Sequence, residues 1–546
     1  MEYNLNDSIV SSLINNKNEN YHKKVAEKLV NDILSPFPSL GDIEYDEKFN
    51  WDYKHASQAN SYQIYLQGMN MINSTLNHFF YEQDCRYLNK SKEIFEDWMS
   101  YIENGNSNSM TWYDHTIASR SMALMKLMYF LKRENVKFDE KKYNYYLRMH
   151  IEKLTDDSLH RKNNHGLMMD RVLMAIGLFK KNEEWFLKGY ERAKLIFWLM
   201  YSEKGVHLEN SPEYHSMVYN MYVQIEEYLS NNNRTLGSEV TEKFDVIDKY
   251  RGIILKPDNR FPPIGDSSQS INKENIPMIW EDFHDAAAGI SILKNKTNMF
   301  YLVFICGYST ITHKHSDDLS FILNYMEKDF FVDPGKYKYS NDKYRRYIVG
   351  RKAHNSFSAG RIPVKKNNSN RYYKRVNTDH FLKSKNFTLI SGYIKSDENF
   401  NLRRTIYYIP QENIIIGFDW GESYREEIWT QRFNLSSKVQ VQEIHDGQYK
   451  LTNGKADIYL SFLHNYKNEI LETNLKSKWP KAFNSQTNGK IIKTKQILNS
   501  KSSSKHFENA FIVSMGENKV VNVESANDEF RLDINGVIYN LPMVQT

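Results

Sequence analysis

The spacing of apolar residues changes character once along these 546 residues, and that change bounds the fold. Up to residue 255, apolar side chains recur at three- and four-residue steps. The pattern is clear in 62–81 (YQIYLQGMNMINSTLNHFFY), 116–132, 166–179 and 185–201, and continues in 213–231 and 238–255. Such a period places those residues on one face of a helix. The segment 256–270 (KPDNRFPPIGDSSQS) is rich in Pro, Gly and Ser and breaks the pattern. Beyond it lie β-branched or aromatic runs bounded by turn residues: 299–306 (MFYLVFIC), 319–332, 386–394, 402–409, 413–419 and 456–463. Helices first and strands second predict an α+β chain with segregated domains. The expected division is a helical domain over 1–270, with helices of the length a toroid or solenoid needs, and a mostly antiparallel β-sandwich over 271–546. The Asn/Lys-rich stretches 365–371 and 499–506 read as solvated loops.

Composition narrows the class. Lys+Arg 72 against Asp+Glu 67 leaves a net charge of +5, too mild for a nucleic-acid protein and compatible with an enzyme of anionic substrates. Two cysteines, Cys85 and Cys306, exclude a disulfide framework and a cysteine-based zinc site. No basic segment followed by an apolar one opens the chain, and no apolar run approaches the roughly 20 residues that span a bilayer. The chain as it stands is expected to be soluble and cytoplasmic, or secreted or periplasmic if a signal has been removed. Aromatic residues reach 14%, with 38 Tyr, enough to furnish both a core and sugar-stacking rings.

Several clusters carry chemistry. Asn163-Asn164-His165-Gly166 precedes an apolar helix, where Asn can cap or an amide and imidazole can face an anion. In Glu209–His215, Ser211-Pro212-Glu213 has the form of a helix start, with Tyr214 and His215 in its opening turns. His313-Lys314-His315-Ser316-Asp317-Asp318 follows a strand; alternation along an extended segment would send both imidazoles to one face, for metal binding or acid–base work. Asp333-Pro334-Gly335 and His354-Asn355 complete the set, and His315, Asp333 and His354 would suit zinc with one open position. Trp112 through Arg120 offers a ring for sugar stacking and a guanidinium for a carboxylate. The most basic segment near a motif, Lys343–Lys352, reads as a solvated β-hairpin, and Arg161, Lys162, Arg345 and Arg346 are further basic candidates for sulfate recognition.

Taken in order, these motifs resemble the heparinase II/III-like polysaccharide lyases and, more loosely, alginate and oligo-alginate lyases. The resemblance rests on Trp112–Arg120, Asn164-His165-Gly166, Ser211–His215, Pro263-Ile264-Gly265-Asp266, His313-x-His315-x-Asp317, Asp333-Pro334-Gly335 and Ala353-His354-Asn355, and runs from about residue 50 to 440. It implies an incomplete (α/α) toroid followed by an antiparallel β-sandwich, with the active site in the cleft between them. The implied substrate is an acidic polysaccharide or oligosaccharide, with no nucleic-acid or membrane partner. The implied reaction is β-elimination beside a uronic acid, leaving a C4–C5 double bond. By resemblance, Asn164 neutralises the uronate carboxylate, His165 serves as base or assists neutralisation, Tyr214 acts as acid or as both acid and base, and His313 reaches in from the β domain. A free tyrosine has a pKa near 10, so a base role needs cationic or hydrogen-bonding neighbours. Trp112, His115, Arg120, Glu213, His215 and Arg351 are assigned to substrate binding. His315, Asp333 and His354 match the positions of a structural zinc in some relatives, with calcium as the alternative because Asp317 and Asp318 lie close by. Two other readings share these residues: a non-catalytic glycan-binding protein on the same scaffold, and a metal-dependent glycan hydrolase.

Overall fold

The computed structural model describes residues 7–14, 18–37, 40–56, 58–337, 339, 343–359, 375–395, 400–475, 492–526 and 528–544. The chain packs as two compact units, Met1–Met200 with Asn220–Glu242 and Tyr201–Tyr219 with Lys243–Thr546. This division differs from a single break at residue 270. Segment 201–219 and most of helix Ser238–Ile254 belong with the β half, because Tyr250, Ile253 and Ile254 bury themselves against Ile292, Tyr301 and Val303 of a sheet.

The first unit is helical. The expected helices form as Asp114–Arg133, Asn164–Lys180 and Glu183–Met200, and the periodic run 62–81 forms two helices, Ala59–Gln67 and Asn70–Glu82. The interruption falls at Gly68 and Met69, the latter in the left-handed region at φ 57°. Cys85–Glu103, with Asp84 capping its first turn, and Glu140–Thr155, capped by Asp139, add two more. Asp114–Arg133 is buried around nearly its whole circumference, so its polar residues must find partners inside the protein. No helix among the described residues is long and apolar enough to cross a membrane.

The second unit is built from antiparallel strands. Five consecutive strands, Phe283–Asp285 to Lys328–Phe331, form one sheet in chain order. Phe300–Ile305 is buried at every position: Phe300, Leu302 and Phe304 enter one core, Tyr301, Val303 and Ile305 the other. Burial on both faces explains why the run MFYLVFIC does not alternate. A ten-stranded sheet supplies the opposite side of the larger core through Ile406, Phe433, Ile458 and Phe511, and a three-stranded sheet, Val521–Pro542, covers its outer face at Tyr407 and Ile416.

Two local expectations change. Residues 499–506 are not a loop but part of strand Ile492–Met515, whose Asn499 is fully buried against Gln431 and the His464 carbonyl. The companion stretch 365–371 lies outside the described residues. The basic segment is not a hairpin: Lys343–Ile348 is a helix and Arg351–Ala353 a single 3-10 turn, with Ile348 buried.

Candidate active site

In the first unit, helix Asn164–Lys180 begins at the Asn-Asn-His-Gly motif. The cap is Asn163, whose side chain accepts from the His165 and Gly166 amides at 3.0 and 3.4 Å. That leaves the partly exposed side chain of Asn164 without a hydrogen-bond partner among the described residues. His165 turns its Nδ1 to Asp114 Oδ1 at 3.0 Å, and Arg161 Nε lies 3.2 Å from Asp114 Oδ2. Burial opposes the Asp114 charge, but His165, the His115 amide and Arg161 together hold its carboxyl below the usual range. His115 packs edge-on between His165 and Tyr65, and burial pushes its pKa down to about 4, so it supports His165 as a neutral ring.

A close approach sets this turn. A Cβ on Gly166 would lie 1.8 Å from the Arg161 carbonyl oxygen. Gly166→Ala is therefore expected to force the turn open, costing about 1–3 kcal/mol of stability and about 100-fold in turnover, read by thermal melting and rate assay. Unchanged turnover would show that this approach does not set the turn.

Arg120 departs from its expected role as a carboxylate clamp. It is fully buried, donating to His150 Nε2 at 2.8 Å and to the carbonyls of Gln67 and Thr111 at 2.7 and 2.8 Å. Its guanidinium lies over the rings of Trp98 and Trp112 at 4.2 and 4.9 Å, and burial lowers its pKa to about 9. Arg120 is a strut for the loop that carries Trp112. Trp112 itself is partly exposed, its ring packed edge-on against Trp98 and tilted against His150.

In the second unit, Pro212–Ser230 starts with Pro in its first turn and Glu213 beside it, and Ser211 Oγ accepts from the Tyr214 amide at 3.3 Å. Tyr214 stacks on His313, ring centroids 3.6 Å apart and planes at 20°. The Tyr339 hydroxyl stands 3.1 Å from both the Tyr214 hydroxyl and His313 Nδ1. His313 has φ 57°, so it reaches Tyr214 from a turn and not from an extended strand. Both imidazoles of the His-x-His motif nevertheless meet one carboxylate: Asp266 lies 3.1 Å from His313 Nδ1 and 3.1 Å from His315 Nε2. Arg345 completes the group with bonds of 2.5 and 3.0 Å to the two Asp266 oxygens. Burial works against the Asp266 charge, yet these three donors hold its carboxyl far below the usual range. Gly265 (φ 53°) makes the convergence possible, since a Cβ there would meet the carbonyl oxygens of Asn210 and His313 at 2.4 and 2.7 Å.

Other expected substrate contacts have partners within the protein. His215 is buried, its Nδ1 accepting from the His207 amide at 3.1 Å and its ring packed on Tyr250. Glu213 accepts from the Ser268 amide at 2.9 Å and Lys336 Nζ at 2.5 Å, bracing two loops. Arg351 gives Nε and Nη2 to the Phe357 carbonyl at 3.0 and 2.8 Å. His215 Nε2 and Arg351 Nη1 are buried without a hydrogen-bond partner.

His315, Asp333 and His354 do come together: one ligand atom of each lies within 4.8 Å of the others, and all three are buried. His354 Nδ1 is 2.6 Å from Asp333 Oδ2, while His315 Nδ1 and His354 Nε2 have no hydrogen-bond partner. Two buried imidazoles with a free nitrogen and one carboxylate are a donor set that fits a divalent metal. Asp317 and Asp318 are engaged elsewhere, both paired with Lys314.

Asp266 and Tyr339 are residues to which the motifs assigned no role, and Arg345, a candidate for sulfate recognition, is bound to Asp266. Asp266 was visible only as the end of Pro-Ile-Gly-Asp, and nothing local in sequence links Tyr339 to Tyr214.

Family models match nearly end to end: the heparinase II/III N-terminus over residues 3–287 and the heparinase II/III-like C-terminal domain over 280–510. The chain belongs to the heparinase II/III family. It is a polysaccharide lyase with a helical toroid followed by a β-sandwich. Among solved structures, a heparinase III aligns with a TM-score of 0.76 at 16% identity, over 97% of this chain and 92% of that one. The heparan sulfate lyase HepC from Pedobacter heparinus aligns at 0.69 and 14% identity, over 98% and 90%. A chondroitinase AC lyase aligns at 0.61 and 11% identity, over 96% and 86%. No curated protein matches this chain in sequence.

Proposed function

We propose that this lyase cleaves uronate-containing glycosaminoglycans, heparan-type chains first among them, by β-elimination. The stacked pair Tyr214–His313, tied by Tyr339 and backed by Asp266, carries the reading: it is a proton-transfer hydroxyl held by aromatic stacking and hydrogen bonds. Family membership and the heparinase III and heparan sulfate lyase neighbours support the substrate class.

In this reading the uncommitted amide of Asn164 donates to the uronate carboxylate, assisted by His165, and stabilises the charge that develops when C5 loses its proton. A base takes the C5 proton, the C5–H electron pair becomes the C4–C5 double bond, the C4–O4 bond breaks, and Tyr214 delivers a proton to O4; the base is His165 where C5–H and O4 lie on opposite faces of the ring. Where C5–H and O4 lie on the same face of the ring, Tyr214 serves as base and acid in turn. His313, oriented by Asp266, holds the phenol ring in place. We further propose that His315, Asp333 and His354 hold a structural divalent metal, zinc before calcium, since two of the three donors are imidazoles. The metal would cross-link the loops that carry these residues and so brace the turn bearing His313.

The test is a panel of heparan-type, chondroitin, hyaluronan and alginate chains followed at the ultraviolet band of the unsaturated uronate. A rise on the heparan-type chains is expected. Cleavage without that band would replace elimination by hydrolysis, and cleavage of another class alone would reassign the substrate.

A further inference from the structure

Of the basic residues near the motifs, Arg120 and Arg351 are turned into the protein and Arg345 is bound to Asp266. Arg161 is different. Its side chain is 55% exposed and stands just ahead of the Asn164 turn. Tyr113 holds it from one side, with the phenol accepting from Nη1 at 3.0 Å and the guanidinium 5.1 Å over the ring. Asp114 holds it from another, but that carboxylate is shared with His165 Nδ1. No described residue bonds Nη2, so the outer edge of the fork is open to solvent while Nη1 and Nε are held.

The backbone beneath is pinned. Asp170, fully buried, takes His160 Nε2 with both oxygens at 3.0 Å. Arg192 donates to the Leu154 and Thr155 carbonyls at 2.7 and 3.1 Å, and the Arg161 carbonyl lies against Gly166. A pre-oriented guanidinium loses little freedom on binding and matches a planar carboxylate or a sulfate edge.

We propose that Arg161 is a specificity-determining residue that grips an oxyanion of the glycan bound at the Asn164 turn; this rests on the lyase reading above. The oxyanion is either a sulfate of the sugar chain or a uronate carboxylate. The experiment compares wild type, Arg161→Gln and Arg161→Lys on a sulfated heparan-type glycan and its unsulfated counterpart. Arg161→Gln is expected to lower kcat/KM about 10- to 100-fold, chiefly through KM, with Arg161→Lys in between because it keeps charge but loses the fork. Loss confined to the sulfated glycan identifies a sulfate, and equal loss on both identifies the carboxylate. Unchanged kcat/KM on both, with an active wild type, overturns the proposal. If wild type turns over neither glycan, the lyase reading fails separately and calorimetric binding decides: weaker binding by Arg161→Gln sustains the proposal, and equal or absent binding overturns it.

Discussion

Tyr214→Phe is expected to melt like the parent and to lose at least about 100-fold in kcat, the range that positioned proton transfer contributes. The substitution keeps the ring that stacks on His313 at 3.6 Å and removes only a hydroxyl bonded to Tyr339. Tyr214 is only partly buried, so the change in stability should stay within about 0.5 kcal/mol. Melting curves and initial rates on the substrate found above are the two readings. Wild-type turnover in the variant would remove Tyr214 from the reaction. Lost turnover with a collapsed melting transition would instead indicate a packing role.

The second large effect is expected at the His315–Asp333–His354 cluster. Purified protein should carry about one divalent metal per chain, as zinc by elemental analysis, and a chelator should lower its melting temperature by several degrees. His315→Ala should lose the metal and, decisively, its melting temperature should no longer respond to the chelator. That insensitivity separates metal loss from the cost of cutting a buried imidazole away from Asp266. Turnover should fall in both cases, because His313 lies two residues from His315 and shares Asp266 with it. A metal-free wild type, or a variant as chelator-sensitive as the parent, would reject the site.

The order of elements was legible because it is written in local periodicity. The helices from Asp114 onward and the strands from Phe300 onward lie close to where the spacing puts them. The basic segment Lys343–Lys352 was not legible as a helix, because its form follows from burying Ile348 and from tying Arg345 to Asp266, 79 residues away. Arg120 was misjudged for a related reason. The run SMALMKLMYFL after it is apolar except for Ser121 and Lys126, a sign that the whole helix is interior and that a cation within it is a strut. Asn164 could be separated from its neighbour only by observing that Asn163 takes the capping role.

By itself the sequence determined which segments are helical and which extended, the family to which their motifs belong, and the residue types from which a site could be made. These are short-range properties: side-chain period, turn chemistry and the spacing of polar residues within a few positions. Packing between distant segments alone joins Asp266 to His313, His315 and Arg345, brings Tyr339 to Tyr214 across 125 positions, and commits His215, Arg120 and Arg351 to partners within the protein. The physical reason is that a buried polar group must be satisfied by whatever the fold brings beside it. Its partner, and hence its role, is set by packing between distant segments and carries no local signature.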